Sequence, residues 1–291
     1  MFLLSITDWI YSRYPTESGG PTKADAWGPL HIITLLLTIG IIIGLALLLR
    51  KKSMKVKRPI IIALSACLLF FEIARRVINL TNGNTITLDY ALYVLVPRPW
   101  CAISVWCVIL APLINKKFFY NVTAMCGIIN CVIFFASPEV GFRPDYILFE
   151  DVYSIATHVL LFISSVSFIT LGFSEFKFYR ESYFNGFGKD LLMIACIFVY
   201  AFIEIFLLKI EKDPLYFMEN NGVQKVLGIE WGEYLVLYTV FLTIYFGCFY
   251  FIYYLATKNK EEEIIKAPKR EKKKKKEFVK VSYKKNKAPL K

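Results

Sequence analysis

The feature that most constrains this chain is a series of apolar segments long enough to cross a lipid bilayer. About 20 consecutive apolar residues are needed to span the hydrocarbon core as a helix. The chain is 56% hydrophobic, above the roughly 45–50% typical of soluble domains, and its mean hydropathy is +0.50. Because lipid offers no partners for backbone N–H and C=O groups, an open-ended span must be helical. The sequence therefore predicts an all-α, polytopic membrane protein.

Seven segments fit this description. The predicted spans are Gly28–Leu49, Pro59–Leu80, Tyr90–Ile114, Phe118–Ser137, Val152–Gly172, Leu191–Leu208 and Gly232–Ala256. Residues 1–27 are predicted to form an extracytoplasmic or interfacial N-terminal segment, and residues 28–256 a bundle of seven transmembrane helices. Residues 257–291 form a lysine-rich tail. Because the loops are short, neighbouring helices are expected to be antiparallel.

Lysine and arginine are distributed unevenly between the two sides of these spans. The first, third and fifth loops and the tail together hold 26 of them, whereas the N-terminal segment and the other loops hold six. Cytoplasmic loops carry an excess of basic residues. The distribution predicts a multi-pass protein of the cell (plasma) membrane, with the N-terminus outside and the C-terminus in the cytoplasm.

The tail that begins at Lys258 contains 15 basic and five acidic residues. It has too few apolar residues to bury a core, so it is predicted to be disordered. Anionic lipid head groups are its expected partner on the cytoplasmic face. Nucleic acid is the alternative, since the same charge binds phosphates without sequence preference, and a solvated tail with no partner also fits. No obligate protein partner is predicted.

Ionisable side chains inside the predicted spans gather in the half that faces outside. Such groups are costly in a membrane and usually face a cavity or one another, although some reach the interface instead. The inner half has almost nothing comparable. The pattern predicts an outward-facing polar pocket, with candidate substrate-binding residues His31, Glu72, Arg75, Arg76, Arg98 and Glu204.

Two prolines interrupt the third span in the stretch VPRPWC, residues 96–101. Proline removes a helical hydrogen bond and clashes with the preceding turn, but it is tolerated at the first position of a helix. A helix that begins at Pro99 and ends at Ile114 is only about 24 Å long, at 1.5 Å per residue. Its start therefore lies below the outer surface, and the residues before it are irregular or a separate short helix. Such backbone is tolerated only inside protein or beside a cavity.

Cys101 would lie in the first turn of this helix. Unpaired N–H groups and the positive end of the helix dipole favour an anion there, and the thiolate is the nucleophilic form of cysteine. Arg98 adds positive charge. A cysteine within reach of a histidine is the minimal arrangement for acyl transfer through a thioester, and the chain has only two histidines, His31 and His158. The catalytic candidates are thus Cys101 and His158, with no cofactor and no metal, because Cys/His metal-ligand spacing is absent.

The stretch VPRPWCAISVW, followed about 55 residues later by IATHVLLFISS, resembles the YwaF-type family of seven-helix bacterial membrane proteins. GPLHIITL at the first span and Pro138-Glu139 after the fourth are similar to further motifs of that family. The resemblance covers roughly residues 25–256 and excludes the tail. One departure stands at Pro99, because the family usually has histidine two residues before the cysteine.

A eukaryotic relative of that family is a cysteine-centred phospholipid acyltransferase, so the resemblance implies that Cys101 is the nucleophile and His158 the base. His31 would lie in the pocket, and a membrane phospholipid would be the substrate. Two other classes fit the composition: a small-solute transporter, whose broken helices often face an anionic substrate, and a non-catalytic scaffold or receptor. The lack of polar residues in the inner half argues against a transport path.

Overall fold

The computed structural model of the protein describes residues 5–13, 23, 25–82, 86–97, 100–136, 141–177, 186–209, 215, 218 and 222–257. All regular secondary structure in these ranges is helical, which confirms the predicted all-α class. The helices are α1 (Ile6–Ile10), α2 (Pro29–Leu49), α3 (Met54–Thr81), α4 (Leu88–Leu95), α5 (Trp100–Ile114), α6 (Lys117–Ala136), α7 (Phe149–Thr170), α8 (Phe187–Phe202, continued as a π-helix over Ile203–Leu208), α9 (Gly222–Leu227) and α10 (Trp231–Thr257).

Five helices in the described part of the chain are long and apolar enough to cross a membrane: α2, α6, α7, α8 and α10. The pair α4 and α5 adds a sixth if it is one broken span. Seven spans are therefore not confirmed. The helix that fails is α3, because Glu72, Arg75 and Arg76 follow its apolar stretch and Lys55, Lys57 and Arg58 precede it.

The helix α6 forms the centre of the bundle. It packs between α5 and α7, and α8 also contacts it, while α3 packs on α5 and α7. The most apolar window of α6 is 72% buried, compared with 11% for α2 and 6% for α10. The apolar outer faces of α2, α8 and α10 are left exposed in the protein, as expected for helices whose solvent is lipid.

The two ends of the bundle differ in chemistry. At one end, which we call the lysine end, Lys57 Nζ donates to the carbonyl of Leu171 at 2.9 Å, and Lys117 Nζ donates to the carbonyl of Gly172 at 2.8 Å. Both lysines thus cap the C-terminus of α7, where cations are favoured. At the other end, which we call the site end, Trp9 of α1 donates to the carbonyl of Ile147 at 3.0 Å, just before α7.

The start of α3 differs from the sequence expectation. The second span was predicted to begin at Pro59, with Lys57 in a basic loop, but the helix begins at Met54 and Lys57 is buried. Proline is compatible with a helix near its N-terminus, where the N–H it lacks is not needed. The tail, residues 258–291, lies outside the described residues.

Candidate functional site

The third predicted span is broken, as the two prolines indicated. The short helix α4 ends at Leu95, and α5 begins at Trp100 with its axis bent by 63° from that of α4. The sequence predicted a new helix start at Pro99, preceded by irregular backbone or by a separate short helix. The structure has the short helix α4 there, and Cys101 is the second residue of α5. Arg98 and Pro99 lie outside the described residues.

Glu72 is the centre of a polar cluster at the site end. Its side chain is fully buried, and it accepts hydrogen bonds from Arg76, one turn along α3, and from the hydroxyl of Tyr153 on α7. Arg76 also donates to the carbonyl of Glu72 at 3.1 Å, and its guanidinium lies 5.1 Å from the ring centroid of Trp106. The charge of Glu72 is thus neutralised inside the bundle, as a buried carboxylate requires.

Arg75 occupies the more accessible edge of this cluster. Its guanidinium lies 4.9 Å from the ring centroid of Tyr153 and 4.0 Å from the carboxylate of Glu150. The side chain is 33% exposed. Its Nε is nevertheless buried and has no hydrogen-bond partner among the described residues. Arg75 is therefore the more accessible cation of the cluster, whereas Arg76 is held by internal contacts.

Cys101 is half-buried and lies close enough to this cluster for charge interactions with it. Its thiol interacts electrostatically with Arg75 and Glu72, and also with the hydroxyl of Tyr153. A second cysteine, Cys131 of α6, is also near it. The structure thus brings together four predicted site residues from α3 and α5, and all seven cysteines of the chain are free thiols.

His158 is oriented by other groups. Its ring is stacked on that of Phe134, with centroids 3.8 Å apart, and its Nδ1 lies 2.8 Å from the carbonyl of Ser154. Cys131 Sγ donates to the carbonyl of His158 at 3.2 Å. No hydrogen bond joins the side chains of Cys101 and His158 in the described part of the chain. Cys131 lies near Cys101 but bonds only the backbone of His158, and the Cys101–His158 pair stays a prediction.

His31 belongs to an aromatic group beside His158. It is 1% exposed, its Nδ1 accepts a hydrogen bond of 2.9 Å from the backbone N–H of Trp27, and its ring stacks on Phe142 at 4.4 Å. Phe142 in turn contacts Phe134 at 5.6 Å. The Nε2 of His31 has no hydrogen-bond partner within the described ranges. The two histidines are therefore connected through phenylalanine rings.

Glu204 lies in the π-helical turn that ends α8 and is fully buried. The hydroxyl of Tyr200, one turn earlier, interacts with this carboxylate and donates to the carbonyl of Pro97 at 3.1 Å. Glu204 thus faces the break between α4 and α5. π-Helical turns inside α-helices are frequent at functional sites.

Sequence reasoning missed Tyr153 and Tyr200. One signal was available, because a tyrosine buried in an apolar environment usually needs a partner for its hydroxyl. Tyr200 also precedes Glu204 by four residues, a spacing that places both on one face of a helix. In a chain with 18 tyrosines, that signal alone selects too many candidates.

A second polar cluster lies at the lysine end, contrary to the expectation that this half is almost free of such groups. Asp190 of α8 is buried and accepts from Asn121 Nδ2 at 2.8 Å and from the hydroxyl of Tyr250. Asn121 also pairs with the backbone of Glu175 through bonds of 2.7 and 3.0 Å. The predicted sixth span began at Leu191, which left Asp190 outside it. These bonds tie α6, α8 and α10 together.

The described residues contain no group of three or more His, Cys, Asp or Glu side chains that could hold a metal ion. The fold and the site together define an all-helical membrane protein with a broken span and a buried polar cluster at each end of the bundle. Residues 26–253 match the TMEM164 family, and the chain therefore belongs to that family. No curated protein and no solved structure matches the chain.

The family match corrects the resemblance drawn from the sequence. The motifs around Cys101 and His158 were similar to those of the YwaF-type family, but the family model that matches is that of a different family. Those motifs are only a few residues long, whereas the match extends over most of the chain. Pro138 and Glu139, which carried part of the resemblance, lie outside the described residues.

Proposed function

We propose that this membrane protein transfers acyl groups between lipids, with Cys101 as the nucleophile. The observation that carries the proposal is the position of Cys101, which begins α5 at a break in a span, beside the polar cluster of Glu72, Arg75 and Tyr153. A helix start places unpaired backbone N–H groups near the thiol, where they would stabilise the thiolate formed once a base has taken the proton. Irregular backbone at membrane depth is tolerated beside a cavity, and we propose that the break borders the space that a polar head group occupies.

The reaction requires two displacements at one carbonyl carbon. Cys101 gives its proton to His158, and the sulfur attacks the ester carbonyl of a donor lipid; the C–S bond forms, the ester C–O bond breaks, and His158 returns the proton to the departing alcohol. The hydroxyl of an acceptor lipid then gives its proton to His158 and attacks the thioester carbon; the new ester C–O bond forms, the C–S bond breaks, and His158 returns the proton to the sulfur of Cys101. For this role the ring of His158 must rotate away from Phe134.

The remaining polar residues are proposed to hold the lipid head group. Arg75 is the best candidate for a phosphate, because its side chain is 33% exposed and guanidinium groups suit phosphate geometry. Glu72 and Arg76 would maintain the geometry of the site. His31 would offer its Nε2 to the head group from the side where the phenylalanine rings lie. Arg98 and Glu204 stay substrate-binding candidates near the break.

Acyl transfer in reconstituted vesicles tests the proposal. The purified protein is given a phospholipid with a labelled acyl chain and a lysophospholipid acceptor. We expect Cys101→Ser to abolish transfer, and His158→Ala to lower it by about 10²–10⁴-fold, the usual contribution of a general base. Cys107→Ser is the matched control, since Cys107 is a half-buried cysteine deeper on the same helix. Acyl transfer by Cys101→Ser at the wild-type rate would exclude Cys101 as the nucleophile.

Thiol labelling distinguishes an enzyme from the alternatives. With a membrane-permeant maleimide and site-resolved mass spectrometry, Cys101 is expected to react faster than Cys107. If it does not, the assignment of Cys101 as the nucleophile is wrong, and a non-catalytic scaffold or a solute transporter becomes the better proposal. If Cys101 reacts faster but His158→Ala leaves its rate unchanged, Cys101 stands and His158 is not its base.

The basic tail is proposed to bind anionic lipid head groups, at up to about 1 kcal/mol per basic residue near the surface. A synthetic peptide of residues 258–291 is expected to bind phosphatidylserine vesicles at low salt and to be released at high salt, because screening weakens the attraction. Equal binding to neutral vesicles would contradict the proposal, and stronger binding to RNA would favour nucleic acid as the partner.

A further inference from the structure

We propose that Tyr200 and Arg76 are positioning residues that hold the broken span and thereby fix Cys101 at the start of α5. Neither residue needs to touch a substrate for this role. The proposal deepens the proposed function and rests on it only for the consequence in catalysis, since the position of a thiol is measurable without any reaction.

The break leaves backbone carbonyls without helical donors. In a continuous helix the carbonyl of Leu95 would accept from the N–H of residue 99, but that residue is Pro99, which has none. The carbonyl of Pro97 would likewise accept from Cys101, yet α4 ends at Leu95 and the chain turns by 63°. A carbonyl left unpaired at membrane depth costs several kcal/mol. The break therefore needs donors from other helices.

Two side chains from different helices supply them. Arg76 Nε of α3 donates to the carbonyl of Leu95 at 3.4 Å, and the hydroxyl of Tyr200 on α8 donates to the carbonyl of Pro97 at 3.1 Å. Tyr200 and Arg76 also lie within electrostatic reach of each other. The break is thus held from both sides, by residues that belong to one connected polar group.

Further contacts fix both donors. Arg76 is bonded to the buried carboxylate of Glu72 and lies over the ring of Trp106. Tyr200 is flanked by Glu204, which the π-helical turn of α8 brings to the break. On the far side of the break, Asn130 Nδ2 lies 3.4 Å from the carbonyl of Trp100, the residue before Cys101. Each end of the interrupted backbone is therefore anchored to a neighbouring helix.

The test is Tyr200→Phe, which removes the donating hydroxyl and keeps the ring. The full-length protein in vesicles is labelled with a maleimide, and the rates at individual cysteines are read by mass spectrometry. We expect Cys101 to label about fivefold faster, because a lost hydrogen bond shifts the break toward an open state by about that factor. Cys107 should keep its rate. Acyl transfer should fall in the same variant, since the thiol is less well placed.

Tyr245→Phe is the matched control. Tyr245 also donates to a backbone carbonyl, that of Met125 at 2.7 Å, but this bond joins a different pair of helices, α10 and α6, and involves neither of the two carbonyls at the break. It should leave the Cys101 rate unchanged. An unchanged Cys101 rate in Tyr200→Phe, or a parallel rise at Cys107 that reports general loosening, would overturn the positioning role. Faster Cys101 labelling together with full acyl transfer by Cys101→Ser would instead leave the positioning role in place and reject the proposed function.

Discussion

Glu72 and Arg76 lie one turn apart on α3 and neutralise each other away from water. The carboxylate is fully buried and the arginine side chain is 12% exposed. Taking both charges out of water is expensive, so the pair contributes little net stability while it is intact. Removing one partner is different, because the other charge is then buried without compensation.

Glu72→Ala is therefore expected to destabilise the protein by about 3–5 kcal/mol, the usual cost of breaking a buried pair. Thermal unfolding in detergent measures the effect. Glu150→Ala is the control, because the Glu150 side chain is 57% exposed and its 4.0 Å contact with Arg75 is a surface pair worth at most about 1 kcal/mol. Equal losses in the two variants would show that Glu72 is not the centre of the cluster.

At the same scale, the sequence indicated which ionisable residues belong to the site but not which aromatic ones. Glu72 and Arg75 are conspicuous, because charged residues inside an apolar segment need a reason to be there. Tyr153 and Tyr200 are not, since tyrosine is also common on helix faces that contact lipid and head groups. Which tyrosine turns inward depends on the rotation of each helix, and that is set by packing rather than by local sequence.

Among the helices, the break between α4 and α5 was predictable from the sequence. The failure of α3 to qualify as an apolar span was not. Pro97 and Pro99 act through covalent chemistry that every context shares, so a helix start near Trp100 followed directly. The helix α3 exists as expected, but its charged ends keep it from qualifying as an apolar span. Its charges are neutralised by partners on other helices, and a single sequence does not show those partners.

The interface of α6 and α7 depends on a glycine. A Cβ added at Gly127 would lie 2.0 Å from Ser165 Oγ and 3.1 Å from both Ser165 Cβ and Leu161 Cδ1. Rotation of the serine hydroxyl relieves only the first contact. We expect Gly127→Ala to cost about 1–3 kcal/mol through overpacking.

Gly44→Ala on α2 is the matched control, because a Cβ there meets nothing within 4 Å. It should leave the thermal unfolding midpoint unchanged or raise it, since alanine is the better helix former. The same loss in both variants would point to glycine itself, rather than close helix packing, as the cause. A Gly127→Ala protein as stable as the wild type would show that α6 and α7 can move apart without cost.

At the scale of the whole molecule, short motifs and the full chain pointed to different families. The resemblance rested on a few residues around Cys101 and His158, where any broken span with a cysteine and a histidine looks similar. The TMEM164 match covers residues 26–253, so it rests on far more of the chain than those motifs. The class of protein was therefore within reach of the sequence, whereas the family required comparison along the whole chain.

The distribution of basic residues predicts which end of the molecule faces the cytoplasm. The lysine end and the tail belong to one side, because α2, α5, α7 and α10 run toward it from the site end. The predicted loops and tail on that side carry 26 lysines and arginines, whereas the predicted loops and N-terminal segment on the other side carry six. Basic residues in loops favour the cytoplasmic side. Two of these basic residues, Lys57 and Lys117, also have a structural role, because they cap the C-terminus of α7.

A reporter that works only outside the cell should thus be inactive when fused after Lys291 and active when fused before Met1. A protease added to intact cells should likewise spare the tail, since residues 258–291 would lie in the cytoplasm. Replacing the basic residues of 50–58 by glutamine is the informative variant, because it removes charge from one loop and leaves the tail unchanged. If the charge of the tail determines the orientation, this variant keeps the orientation of the wild type. An active C-terminal reporter in the wild type would place the Cys101 site on the cytoplasmic side and make the lipid pool of the inner leaflet its source of substrate.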